Sequence, residues 1–348
     1  MRILTIALTT LGLGVFAFIL YHTDLSEVWR HVTRLGWIGL AVILGISCVW
    51  YVVDTINWNL TLRSTRLNVR WFARLWPIHV SGEAINQVTP FASLGGEPMK
   101  AILVHQRYGI NFRESTTSLI LLQVVNVCAE IPFLLLGIGL ALGTGVLPEP
   151  VEIMMATGGA VIILLVAVLW FVQHYRFVSR LWRVLSRAWF GVAALRVVRH
   201  IRAVERRLMD FYLGQPARFF AACGLQFCNW CMGAVEIYLV LHFLGSPIPF
   251  VYALVIESVV VLVRTALFFI PSNIGAQEGT FLVVCGAITG SPELGVAVAL
   301  IRRFRELFWI SVGLLMGWAF SLKARPAAEP GYNELDRKLD RGHIASGR

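Results

Sequence analysis

The chain has 348 residues, 57% of them hydrophobic and only 14% charged, with a mean hydropathy of +0.71. A soluble domain of that size carries far more polar surface, so the bilayer is the natural solvent. The net charge of +10 comes almost wholly from arginine, lysine occurring only at Lys100, Lys323 and Lys338; no basic run has a nucleic-acid signature, and such an excess in a membrane protein marks cytoplasmic loops and anionic lipid.

A span needs about 20 apolar residues. Met1 and Arg2 precede the uncharged stretch Ile3 to Tyr21, which runs into Asp24 without a small-residue cleavage site. It reads as a retained first span, 3–21, and not as a cleaved signal. The second span is 37–58, with Asp54 near its end and Arg63, Arg66, Arg70 and Arg74 beyond it. The stretches 71–94 and 96–112 are too polar for ordinary spans. They read as a helix dipping into the membrane, a break, and a helix returning to the surface. On the first, His79, Glu83, Asn86 and Gln87 form a polar stripe opposite Ile78, Ile85 and Val88. In lipid such a stripe faces protein or water, and lining a hydrophilic path is the expected role.

The break is Pro90-Phe-Ala-Ser-Leu-Gly95-Gly96-Glu97. Proline removes a backbone donor and glycine loosens the helix, so backbone groups become available. Glu97-Pro98 then opens a new helix whose free N–H groups could bind a phosphate. Glu97 itself would stabilise that helix start or pair with a cation. Spans at 115–142, carrying Glu130, and 151–173 follow. The stretch 174–215 holds nine arginines, and Leu195, Val198, Ile201, Val204 and Leu208 recur within it at helical spacing. That is a cytoplasmic amphipathic helix on the membrane surface or against the helix bundle.

Four more spans complete the set: 217–244, 250–270, 273–290 and 293–322. Cys228 and Cys231 form a C-x-x-C in the first of these, with no second pair or histidine at ligand spacing. They read as small residues between helices, so no metal is expected. Glu257 and Arg264 share a helix face two turns apart and need partners from other helices. Asp54 and Glu236 lie nearer span ends, where interfacial solvation would serve. The last span contains Arg302-Arg303-Phe304-Arg305-Glu306, about 14–20 Å deep. There Arg302 and Glu306 can pair locally, leaving Arg303 and Arg305 to another acid or a lipid phosphate. The tail 323–348 is polar and expected to be disordered.

Pro271-Ser-Asn273-Ile-Gly275-Ala-Gln-Glu278 repeats the earlier break, again with glutamate seven residues after proline. Matching interrupted segments in two halves point to an internal repeat and to a transporter's central site. The candidate site residues are therefore Glu83, Asn86, Gln87, Gly95, Gly96, Glu97, Glu257, Arg264, Asn273, Gly275, Glu278, Arg302, Arg303 and Arg305. Loops 143–150 and 245–249 lack lysine and arginine, which places the N-terminus, 59–114, 174–215 and the tail in the cytoplasm. No Walker A, H-E-x-x-H, G-x-S-x-G or D-x-D sequence occurs, so ATP hydrolysis, catalysis and a cofactor are not expected.

Gly95-Gly96-Glu97-Pro98-Met99-Lys100, the Arg107-Tyr108-Gly109 turn, Pro271 to Gly279, Arg302 and Trp309 together resemble the lysylphosphatidylglycerol synthase transmembrane region. This family is also called the flippase-like domain proteins. The resemblance covers roughly residues 1–322. It implies a bundle with broken helices that moves a lipid or lipid-linked headgroup between leaflets, some relatives being associated with hopanoid biosynthesis. In the synthases a soluble aminoacyl-transferase domain accompanies this region; with only a short tail here, lysyl-lipid synthesis is not expected. The expectation is an all-α, polytopic bundle of about eight spans plus a broken helix pair in a bacterial inner membrane, translocating lipid headgroups. The alternative is a membrane-embedded enzyme or accessory subunit of a lipid-biosynthetic pathway.

Overall fold

The structure is a computed structural model and describes residues 25–89, 95–174, 214–268 and 273–322, with Tyr21 and Ile270. The expected span 3–21, residues 90–94 and 271–272 of the two breaks, residues 175–213 of the basic stretch and the tail from 323 lie outside the described residues. Among the described residues every regular element is helical. In order they are α1 Leu25–Thr61, α2 Val69–Val88, α3 Gly96–Tyr108, α4 Phe112–Thr144, α5 Glu149–His174, α6 Pro216–Phe243, α7 Phe250–Ala266, α8 Ala276–Thr289 and α9 Pro292–Leu322.

Among the described residues three helices are long and apolar enough to cross a membrane: Trp29–Thr61 within α1, which kinks at Gly36, then α4 and α6. The fold is an all-α membrane helix bundle. Two helices are much shorter. α3 has 13 residues and α8 has 14, a rise of about 20 Å against a hydrocarbon core of about 30 Å. The segment 273–290, expected as a span, is therefore a half-length helix. Its first residues are lost to the break and its last turn closes at Gly290. α9 has the length to cross, with 31 residues, but carries its charges at mid-helix.

The helices form two sets of four. α1–α4 and α6–α9 each run long helix, helix before the break, half-length helix, long helix. Pro90 and Pro271, Glu97 and Glu278, and Gly109 and Gly290 all stand 181 residues apart (271 less 90, 278 less 97, 290 less 109). Both half-length helices end on a left-handed glycine, φ 67° at Gly109 and 75° at Gly290. Its N–H returns to the carbonyl four residues back, a conformation that a Cβ would strain. Packing obeys the same exchange. α1 meets α6 between the sets; α2 packs on α9 as α7 does on α4; α1 packs on α9 as α6 does on α4. α5 lies outside this scheme, against α4 and α7.

Most of the apolar core fills the space between α4, α6, α7, α8 and α9, around Phe133, Ile237, Ile256, Phe281 and Ala297. A smaller cluster of Trp58, Leu75, Ile78, Val104 and Leu119 supports the first break. Helices in lipid gain no hydrophobic drive from meeting one another, so close contact relies on small residues. Gly313 of α9 lies against α2 so closely that a Cβ there would sit 2.6 Å from the Val80 carbonyl oxygen and from Ala84 Cβ. At Gly317, one turn on, the nearest atoms of Ser81 would be 3.4 Å away. Gly313→Val is expected to destabilise the detergent-solubilised protein by about 1–3 kcal/mol, with Gly317→Ala near neutral. Equal thermal melting of the two variants would contradict the tight α2–α9 seam.

Candidate functional site

The site is built from one stretch of α9 and the acids that answer it. Arg302 points to α7, where both Nη atoms donate to Glu257 at 2.7 Å. The two side chains are only 5% and 3% exposed, so this forked, charge-assisted pair lies in a medium that strengthens it. Room for the carboxylate comes from Gly233 of α6, where a Cβ would fall 2.7 Å from the Glu257 carboxyl carbon. Arg303 turns to α8, donating to Glu278 from Nε at 3.0 Å and Nη2 at 2.5 Å, and to Glu306 at 2.7 Å. The other Glu278 oxygen accepts the Gly275 N–H at 2.7 Å, closing the start of α8. Arg305 pairs with Glu236 of α6 and lies 3.9 Å from Glu306.

Two expectations are corrected by this arrangement. Arg302 does not pair with Glu306 one turn on; the fork to a buried carboxylate on α7 replaces the local pair, and Glu306 serves Arg303 and Arg305. Glu236 is not solvated at an interface. It is 3% exposed, because α6 packs that turn against α9 and the Arg305 guanidinium.

These groups border a cavity of about 130 Å³, roughly ten times the space one water requires. Its walls come from the middles of several helices: Ser47 and Tyr51 of α1, Asn229 and Trp230 of α6, Glu257 of α7 and Arg302 to Trp309 of α9. The cavity therefore sits at half-height in the bundle. Gln87, in the last turn before the first break, reaches it, as do Asn273 and Gln277 beside the second. Asn273 holds φ 48°, a left-handed conformation that asparagine tolerates better than most residues. Arg264 also lines the cavity, and among the described residues it makes no ion pair or hydrogen bond. Counting Glu278 and Arg303 just behind the wall, four arginines face four glutamates, and the cluster is neutral when all are ionised.

Several polar atoms on the cavity wall are buried without a partner among the described residues: both amide atoms of Asn229, the indole N–H groups of Trp230 and Trp309, Oδ1 of Asn273 and Nε of Arg302. Asn229 is 1% exposed. Buried polar groups are nearly always hydrogen-bonded, so this concentration marks a place for water or a polar ligand.

The first break builds a separate cluster. Lys100 of α3, fully buried, donates to Glu83 at 2.5 Å and to Glu97 at 2.8 Å. Gly82 leaves space for its aliphatic stem. The Asn86 side chain accepts the Gly96 N–H at 2.7 Å and donates to Glu97 at 3.2 Å, while His79 contacts Asp54 at 3.1 Å. Thus His79, Glu83 and Asn86 of the polar stripe tie α1, α2 and α3 together, and only Gln87 lines the cavity. At the start of α3, the expected place for a phosphate to find free N–H groups, that of Gly96 is already engaged by Asn86. Asp54, His79 and Glu83 offer ligand atoms within 4.8 Å of one another, but the Lys100 ammonium already holds Glu83.

Of the candidate residues, Gln87, Glu257, Arg264, Asn273, Arg302 and Arg305 meet at the cavity. Gly275, Glu278 and Arg303 stand behind it. Glu83, Asn86, Gly95, Gly96 and Glu97 lie at the first break. The sequence reading missed Asn229, Trp230, Trp309 and Lys100. The polar signal that drew attention to Glu257 was present in Gln226 and Asn229 as well, at the middle of an otherwise apolar span. Removing one member of the Arg302–Glu257 pair strands the other charge: Arg302→Met is expected to cost about 3–5 kcal/mol. The double variant Glu257→Leu/Arg302→Met should recover most of that loss in thermal melts, and additive losses would contradict the pair.

Comparison with known proteins agrees with this architecture. The family model described as lysylphosphatidylglycerol synthase TM region matches residues 2–313. A UPF0104 membrane protein of Methanothermobacter thermautotrophicus is 22% identical over 320 residues, covering 88% of this chain and 91% of its own length. A UPF0104 membrane protein of Pyrococcus horikoshii is 20% identical over 330 residues, covering 91% and 96%. No solved structure matches. A match spanning nearly the whole bundle, both breaks and the charged stretch of α9 establishes that the chain belongs to the lysylphosphatidylglycerol synthase transmembrane region family.

Proposed function

We propose that this protein carries a lipid or lipid-linked headgroup between the two leaflets of the cell membrane, the headgroup passing through the half-height cavity while the acyl chains remain in lipid. The observation that carries the reading is the cavity itself: a polar space, walled by ion pairs and unpartnered hydrogen-bonding groups, at the middle of helices long enough to span. Such a space lowers the cost of bringing a polar group to the depth where hydrocarbon would otherwise exclude it. Residues beside both breaks reach it, as expected of interrupted segments in a transporter. A multi-pass protein with both termini in the cytoplasm fits the distribution of arginine along the sequence.

Catalysis is disfavoured by the state of Glu97 and Glu278, the glutamates at the two breaks that an enzyme acting on a lipid head would need as general base. Glu97 is held by Lys100 and Asn86, and Glu278 by Arg303 and the start of its own helix. Among the described residues neither hydrogen-bonds a nucleophile, and neither lines the cavity. Movement rather than bond chemistry is the activity this arrangement suits.

The test uses purified protein in proteoliposomes with acyl-labelled fluorescent lipids bearing glycerol, choline, ethanolamine or glucose headgroups, quenched from outside. Wild type is expected to speed the crossing of at least one of them about tenfold over protein-free vesicles. Ser47→Phe, which fills the cavity without touching an ion pair, should abolish most of that gain. Val49→Phe, on the exposed side of the same helix, should keep it. No accelerated lipid in the panel would overturn the proposal, and a chemically altered lipid found by mass spectrometry would replace it with an enzyme.

A further inference from the structure

Apart from Arg264 and the Nε of Arg302, the charges around the cavity engage one another. Arg302, Arg303 and Arg305 each hold a glutamate, and withdrawing any of them to a ligand strands a buried carboxylate. Arg264 makes no ion pair among the described residues, but it supplies the fourth positive charge opposite four acids. An anion bound there would leave the buried cluster with net negative charge. The other groups without partners among the described residues are of another kind: the Asn229 amide, the Asn273 side-chain Oδ1 and the indole N–H groups of Trp230 and Trp309. They mix donors and acceptors within one small space.

That mixture discriminates among headgroups. An ammonium only donates and an ionised phosphate only accepts, whereas a hydroxyl does both. The walls add flat apolar surface. Trp309 rests against Tyr51 with ring centroids 4.8 Å apart, and Trp230 is backed on one face by Phe133 at 6.0 Å. Indole rings combine such a face with one polar edge. The C–H face of a sugar ring and its rim of hydroxyls match the two surfaces, and the volume suits one ring.

Resting on the translocation reading, we propose that the headgroup admitted to the cavity is a neutral sugar carried on a lipid. Its hydroxyls bond Asn229, Trp230 and Trp309, and its ring face lies on the aromatic wall.

The test ranks headgroups and probes the neutral groups. In proteoliposomes of the full chain, acyl-labelled glucosyl-diacylglycerol is expected to cross at least about tenfold faster than phosphatidylglycerol or phosphatidylcholine with the same label. In phosphatidylcholine nanodiscs, unlabelled glucosyl-diacylglycerol should shift the tryptophan emission and phosphatidylglycerol should not. Trp230→Phe and Trp309→Phe keep the rings and remove single donors. Each should slow the glucosyl lipid roughly fivefold to tenfold, the scale of one lost buried hydrogen bond, with unchanged melting. Asn229→Leu should slow it further. Phosphatidylglycerol or phosphatidylcholine crossing as fast as the glucosyl lipid would overturn the sugar assignment while translocation stands. If no lipid crosses, both fall. Wild-type rates in all three variants would overturn the assignment of these residues. Should a variant fail to fold, the wild-type ranking alone decides.

Discussion

Ionised side chains in a medium that cannot solvate them must be satisfied by one another, and the bundle is arranged around that requirement. Three arginines of α9, Arg302, Arg303 and Arg305, reach acids on three other helices: Glu257 of α7, Glu278 of α8 and Glu236 of α6. A simple apolar helix in the place of α9 would need no such partners, but it would also leave nothing polar at half-height. The pairs stabilise little beyond what well-packed hydrophobic residues could. What they specify is rotation and register, since each arginine meets a different acid on a different neighbouring helix.

The two-fold plan of the chain meets the same requirement in two ways. At the first break a lysine three residues after Glu97 bridges it to Glu83 within α2 and α3. At the second, the equivalent Glu278 has no cation on its own helix and takes Arg303 from α9. The first solution is local and ties a helix to its own continuation. The second is distant and ties the half-length helix to the long one. Gln87 beside the first break and Asn273 and Gln277 beside the second line the same cavity, and so the repeat supports one site instead of two.

Much of this was legible in the sequence because the cost of polar groups in lipid makes them conspicuous. Hydropathy marked the spans of α1, α4 and α6, and proline with glycine marked both breaks. Charges inside apolar runs drew attention to Glu257, Arg264 and the arginines of α9. Partner choice was not legible. Helical spacing offers Arg302 the nearby Glu306, and nothing in one dimension shows that Glu257 of another helix, given space by Gly233, will compete and win. Nor did hydropathy single out Asn229 and Trp230, whose polarity is averaged away by the alanines, cysteines and phenylalanines around them. Segment 273–290 was apolar enough to read as a span, and only the three-dimensional positions of its break and its Gly290 cap reveal its half length.

Glu278 uses its two oxygens for different tasks, one accepting from Arg303 and the other from the backbone of Gly275. Geometry thereby links a bond between helices to the integrity of a helix start. A rotation of α9 that carried Arg303 away would let the carboxylate swing after it and uncover an amide beside Asn273, at the rim of the cavity. Long-range movement and a change in the hydrogen-bonding character of the passage would then be a single event, transmitted through one three-atom group.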